Sequence, residues 1–543
     1  MNVLPVQPAS STMRGVQPRN NTRAAVQFGR DITIFSEGLV SCETDQDKKN
    51  TNGLWCRVAR WLNLPQLQAM PVRPYTPRIK PGTLLEGEAS KFYNLLDDYA
   101  SSVYSGRLNA AALDYFNKTL DEVDTTRLPN EDKAYHLMFS HDVDWRRAMQ
   151  QYHLQAGYDT TLQAGKNRYN IGSPQNWVER ILDRPANPFR FSPEKTALQK
   201  RTPGIGKQVY EAILEHQLYA GMDSETLIKT ASNDYDDWQS QMNDLAREID
   251  PGASDWRDVY EEITKNHPDR DDVVDAYKTE AGRASKFLKD NNLVDVPDKY
   301  RLNIEETPGY YRSQLPFAAY VPSRLTFWVT VLMNERANKQ EIEEQLRAHN
   351  YSDIKAVTVH EAFPGHHLDQ THKRAYGQKL DKKDPRNSGQ RFLQQSASWD
   401  SAPYSEGWGL YAESMMFDNG YYKNSNAKQE ASDKLVALRC MLWRSARAFL
   451  DAQIHTGQST ADEAVDFLVE NLVMPRDRAE AEVNRYVENP GQVTTYYLGM
   501  KQFKEIWEKA SLHNPDLTLK QFHNDMLKQT LPVPALGLAR YGV

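Results

Sequence analysis

The sequence predicts a mainly α-helical protein in which two helical lobes flank a cleft and one small β-sheet lies near the chemistry. Three observations carry this. Apolar residues recur three and four apart through most of the chain after residue 85. β-branched and aromatic residues gather in one short region before a histidine cluster. No Pro/Gly-rich linker divides residues 85–543, yet roughly 450 residues exceed the usual single core, which a two-lobed arrangement accommodates.

In chain order, residues 1–30, "MNVLPVQPASSTMRGVQPRNNTRAAVQFGR", are rich in Pro, Ser, Asn and Gln and read as a disordered tail. Residues 31–84 form a poorly defined extension, and residues 85–543 form the main domain. Within it "SKFYNLLDDYASSVY", "KQVYEAILEHQLYAGM" and "DSETLIKTASNDYDDWQSQMNDLAREI" read as amphipathic helices, the last stopped by "DPGASDW". Further helices are expected at "RDDVVDAYKTEAGRASKFLKDN", "NKQEIEEQLRAHN", "KQEASDKLVALRCMLWRSARAFLDAQIHTG" and "TADEAVDFLVENLV". Strands are expected only at "YRLNIEETP" and "LTFWVTVLMN".

Composition excludes several classes. A net charge of -7 argues against a nucleic-acid partner, which needs a concentrated Lys/Arg surface. Cys42, Cys56 and Cys440 form neither a disulfide framework nor a zinc knuckle, so a metal here would be held by His and carboxylate. No window has the roughly 18 apolar residues needed to span a bilayer, and no membrane partner is expected. "LVSC", ending at Cys42, resembles a lipoprotein cleavage box. The preceding segment, however, carries Arg30, Asp31 and Glu37 where an apolar run belongs, so a cytoplasmic location is expected.

The chemistry is concentrated in "VTVHEAFPGHHLDQ", residues 357–370. His-Glu-x-x-His places two imidazoles on one helical face. His360 and Glu361 open that pattern, but Pro364 stands where the second histidine belongs, and the histidines come at His366 and His367. On an undistorted helix His367 returns to the face of His360 about 10.5 Å away, while His366 points off it. The Pro-Gly pair therefore marks a bulge, and a two-residue bulge brings His366 into the second ligand's place. Both histidines stay candidates; the plainer reading is a loop in which either one only caps a helix. Further on, in "APYSEGWGLYAESMM", Glu406 and Glu413 share a helical face among apolar residues and need partners. One carboxylate supplies the third ligand of a His/His/Glu site, and Glu413 alternatively orients a ligating histidine.

"HEAFPGHHLDQ" followed by "SEGWGLYAE" resembles the bacterial family called domain of unknown function 885, grouped with His-Glu zinc metallopeptidases. The resemblance runs from about residue 85 to the C-terminus, through "RAFLDAQIHTGQSTADEAVDFL", "AEVNRYVENPGQVTTYYLG" and "FHNDMLKQTLPVPALG". The family is distantly similar to Taq carboxypeptidase, thimet oligopeptidase and angiotensin-converting enzyme. That implies a zinc-peptidase-like helical fold with a deep channel. It makes His360, one of His366 and His367, and Glu406 the ligands of one zinc ion, and Glu361 the general base. It also implies an oxyanion donor from the C-terminal part, for which His455, Tyr496 and Tyr497 are candidates. Arg439, Arg447 and Arg485 are candidates for binding a substrate carboxylate, or for pairing with structural acids such as Asp451 and Glu482.

The expected activity is hydrolysis of short peptides by metal-activated water, with Glu361 taking the proton. The alternatives are a zinc amidohydrolase acting on a modified amino acid, and a non-catalytic helical protein that holds a peptide. Ligand type leaves Mn and Co open beside Zn. Substrate identity and oligomeric state are not legible.

Overall fold

The computed structural model describes residues 25–27, 32–35, 40–42, 87–105, 108–156, 204–312, 315, 317–334, 336–377, 386–396 and 402–543. The chain divides into two compact units, residues 1–73 with 153–162, and residues 74–152 with 163–543. Most of the expected tail and extension lies outside the described residues. What is described there is an antiparallel sheet of three short strands, β1 (Ala25–Gln27), β2 (Ile32–Phe35) and β3 (Val40–Cys42). This corrects the expectation that strands are confined to the one short region just before the histidine cluster.

The second unit is mainly helical. Helix ends follow local chemistry. Asp223 caps Ser224–Ile249 by accepting from the Thr226 N–H, and Asn338 and Thr460 close capping boxes with Glu341 and Glu463. "KQVYEAILEHQLYAGM" is helical only over Lys207–His216. Its continuation is broken where Tyr219 takes a left-handed φ of 52° and stacks on His141. The longest described helix, Ala427–Thr456, packs along Ser224–Ile249, while Ala402–Asp418 packs along Thr494–His513. Among the described residues no helix is long and apolar enough to cross a membrane.

The unit's sheet has the order β4–β6–β5, with β4 (Asn303–Glu306) parallel to β6 (Thr326–Val329) and β5 (Ala318–Val321) antiparallel to it. β5 was not expected, because its two alanines leave only Tyr320 and Val321 as strand signal. One face of the sheet buries Ile304, Tyr320, Phe327 and Val329 against Tyr277 and Ile354. Those two residues belong to the helices Val273–Asp290 and Tyr351–Glu361. The second of these helices carries the first histidine at its C-terminal end, so the sheet's core fixes where that histidine is delivered.

Candidate metal centre

The expected bulge interrupts the helix, and two backbone bonds that reach six residues back, from the Gly365 N–H to the Val359 carbonyl and from the Leu368 N–H to the Ala362 carbonyl, bridge the interruption. The Tyr351–Glu361 helix ends, the chain turns through Ala362, Phe363, Pro364 and Gly365 with a cis Phe363–Pro364 bond, and a new helix begins at His366. Proline cannot donate the bond that would continue the first helix. Gly365 is required by closeness: a Cβ there would lie 1.7 Å from the His360 carbonyl oxygen. The break turns His366 back toward His360, and their rings meet edge to face with centroids 4.7 Å apart.

Glu406 completes the cluster. Its Oε2 stands 3.4 Å from His360 Nε2 and 3.4 Å from His366 Nε2. The three candidate ligand atoms lie within 4.8 Å of one another. Charge-assisted N–H···O bonds run about 2.7–2.9 Å. Ligands about an ion with bonds near 2.0–2.1 Å stand about 3.4 Å apart, and the two distances from Glu406 match that spacing. The donor set of two imidazoles and a carboxylate fits zinc. Burial alone would raise the Glu406 carboxyl, but His360 and His366 hold it well below the usual carboxylate range, so it is anionic.

The helix Ala402–Asp418 supplies more than this ligand. Glu413 Oε1 accepts from His360 Nδ1 at 2.8 Å, leaving Nε2 for Glu406, so one imidazole lies between two carboxylates spaced seven residues apart. Glu413 itself is backed by Arg444 Nη2 at 3.5 Å. The Trp408 indole N–H donates to the Pro364 carbonyl at 2.8 Å and pins the break. Gly409 leaves room for the His360 ring, since a Cβ there would lie 2.5 Å from Cε1. We expect Gly409→Ala to leave helix content unchanged while lowering zinc affinity, because the buried ring must move; a zinc titration matching the parent protein would refute this packing role. Gly407 meets Gly499 so closely that a Cβ on Gly407 would lie 2.5 Å from the Gly499 Cα. That contact brings the Thr494–His513 helix, and with it Tyr496, against the cluster.

Tyr496 stacks on His360, with rings 20° from parallel and centroids 6.2 Å apart. Burial and then the Glu406 charge raise its phenol, so it stays neutral and able to donate a hydrogen bond. Glu361 lies next to His360 in sequence but outside the ligand set, and its Oε2 accepts the Tyr320 N–H at 2.8 Å. Because Thr330 N–H bonds to the Phe317 carbonyl in the β5–β6 register, the backbone groups of Ala318 and Tyr320 face the edge of β5 that no other described strand pairs. Glu361 therefore sits at that edge.

Other candidates are placed elsewhere. His367 is fully buried behind the cluster, 3.2 Å from the Tyr320 hydroxyl and packed edge-on to Phe363, and burial lowers its pKa to about 4. Tyr497 turns to the other side of its helix and donates to Asp234 at 2.7 Å. His455 lies eleven residues beyond Arg444 on the same helix, about 16 Å along the axis. There it bonds the Tyr486 carbonyl, accepts from the Ile205 N–H and stacks on Tyr210, which makes it a structural anchor. Arg439 stacks on Tyr260 and bonds the Leu472 carbonyl, away from the cluster. Arg447 and Arg485 flank Tyr496. Sequence reading missed Arg444 and Tyr320; the one signal for Arg444 was a charged residue inside the apolar run "LRCMLWRSARAFL".

Comparison with solved structures finds several of similar fold, among them these two. One is described as a "putative lipoprotein of unknown function" from Shewanella oneidensis, with a TM-score of 0.57 and 16% identity over 83% of this chain and 99% of that one. The other is described as a "putative lipoprotein" from Colwellia psychrerythraea, with a TM-score of 0.52 and 19% identity over 82% of this chain and 73% of that one. No curated protein matches the chain. A family model described as "Bacterial protein of unknown function (DUF885)" matches residues 91–537, most of the chain, and this protein belongs to that family.

Proposed function

We propose that the chain is a zinc-dependent hydrolase that cleaves peptide bonds of short peptides. The observation that carries this is one carboxylate oxygen of Glu406 standing 3.4 Å from the Nε2 atoms of both His360 and His366, a spacing that matches ligands about a shared ion. Zinc held there would polarise a carbonyl and make a water acidic enough to give up its proton near neutral pH.

The chain's own residues divide the remaining work. Glu361 accepts the proton of the attacking water and returns it to the departing amine. Tyr496 donates to the negative charge that develops on the carbonyl oxygen. Glu413, held by Arg444, fixes the His360 ring so that Nε2 is free to ligate. The edge of β5 beside Glu361, which no other described strand pairs, offers the main-chain groups of Ala318 to an extended peptide, which favours peptides over small amides. The reading carries with it two lobes around a deep cleft, a shape that admits short chains and keeps folded proteins out.

The test is incubation of full-length, zinc-loaded protein with N-acetylated tripeptides to hexapeptides and with amino-acid amide conjugates, read by mass spectrometry. Cleavage of peptides that a chelator stops and zinc restores is the expected result. Hydrolysis of the conjugates alone would move the function to an amidohydrolase, and cleavage of neither would leave a peptide-binding protein.

A further inference from the structure

The helix that carries Tyr496 has no cap of its own. Val493 stands at the N-cap of Thr494–His513 and makes no side-chain bond to the first turn, and that turn holds no acidic residue. Uncapped helix ends fray, and Tyr496 is the third residue of this helix. The residues after it are held by their own contacts: Tyr497 donates to Asp234, and Gly499 is locked against Gly407. What holds the first turn comes from another helix.

That group is Asp451, of Ala427–Thr456, which has no exposed surface. Burying a carboxylate is costly unless its oxygens are bonded, and here the bonds converge on one of them. Asp451 Oδ2 accepts from the Gly491 N–H at 2.9 Å, from the Thr494 hydroxyl at 3.0 Å and from the Tyr210 hydroxyl at 2.7 Å. Gly491 takes a left-handed φ of 80°, and a Cβ there would lie 2.7 Å from Ile213 Cγ2, so the turn that presents its N–H needs glycine. The carboxylate thus does from outside what a capping side chain does from within, and its charge suits the positive end of the helix. One turn earlier on its own helix, Arg447 lies 5.0 Å from the Tyr496 ring, and three residues before that Arg444 backs Glu413. A single helix is therefore the common reference for Tyr496 and for the carboxylate that orients His360.

We propose that Asp451 is the positioning residue for Tyr496: it caps the Thr494–His513 helix from the neighbouring helix and so sets where the phenol stands beside His360. The effect on rate rests on the hydrolase reading above; the placement of the ring does not.

The test uses full-length, zinc-loaded protein and three variants. Asp451→Ala removes the acceptor. Thr494→Val removes one donor at nearly constant shape and keeps the test open if the alanine variant folds poorly. Asp451→Asn keeps an acceptor, because Asp451 Oδ1 accepts no hydrogen bond among the described residues and an amide nitrogen can take its place. 3-Fluorotyrosine replaces Tyr496 or, as the control, Tyr497, and is read by fluorine NMR. The 496 resonance is expected to shift or split in Asp451→Ala and Thr494→Val and to return to the parent position in Asp451→Asn, with the 497 resonance unchanged throughout. A 496 resonance that stays in place in Thr494→Val, or a 497 resonance that moves with it, would overturn the proposal. Cleavage of an N-acetylated tripeptide is measured in parallel. With KM little changed, kcat is expected to fall at least about fivefold in Thr494→Val, a share of the roughly 10²–10³-fold that a lost oxyanion donor costs. The same change made in Tyr496→Phe protein should cost less than about twofold, because its effect runs through that phenol. Equal falls in the two backgrounds would also overturn the proposal. If the parent cleaves no peptide, the hydrolase reading falls and the fluorine spectra alone decide the placement.

Discussion

Glu406→Ala is expected to yield a folded protein that does not retain zinc. Glu406 is the carboxylate common to both imidazoles, and alanine leaves two nitrogens without an anion to neutralise the ion between them. Loss of an outer partner of a ligand typically weakens metal binding about 10–100-fold, so loss of the ligand itself should exceed about 100-fold. The Ala402–Asp418 helix should survive, because Tyr404, Leu410 and Met416 anchor it in the core independently of the cluster. Burial alone would lower the His360 imidazole's pKa, but Glu406 and Glu413 raise it to about 10 in the metal-free protein, so zinc must displace a proton there to bind. Elemental analysis after exhaustive dialysis, beside a thermal melt, measures both halves of the expectation. Unchanged zinc content would remove Glu406 from the ligand set.

Glu361→Gln should do the opposite, keeping zinc and losing turnover. The amide oxygen of glutamine can still accept the Tyr320 N–H, so the side chain stays at the β5 edge, but it cannot accept a proton from water. General-base catalysis typically contributes about 10²–10⁴-fold, which sets the expected fall in kcat, with KM little changed because the peptide's contacts are untouched. Steady-state kinetics on any peptide found to be cleaved, with zinc measured in the same preparation, separates the two variants. Full turnover by Glu361→Gln would transfer the base role to another group.

The helical part of the fold was legible because capping residues and the period of the apolar pattern are local properties. Asp223, Asn338 and Thr460 mark helix starts in the sequence and in the structure alike. His360 and Glu406 were legible as candidates for a similar reason, since ionisable residues in apolar stretches must have partners. The choice between His366 and His367 was not. It depends on a break between two helices, and that break is held by a bond from Trp408 to Pro364, 44 residues apart in the chain. Tyr496 and Tyr497 posed the same difficulty. Adjacent helical residues point about 100° apart, so one must face away, and only the Gly407–Gly499 contact decides which. β5 escaped notice because its alanines carry no strand signal, although its edge holds the one backbone donor that Glu361 uses.

The helix that carries Glu406 also sets which lengths in the molecule can vary. Between Glu406 and Glu413 it meets the centre through a ligand, an indole clamp, a gap for a ring and a backing carboxylate. Inserting or deleting one residue inside that span would rotate everything beyond it by about 100° and detach several of these contacts together. The exposed link at residues 423–426 has no such obligations. A change of length is tolerated there as long as the Asn426 cap of the next helix is kept, while the distance between the two glutamates works as a reading frame that admits no slippage.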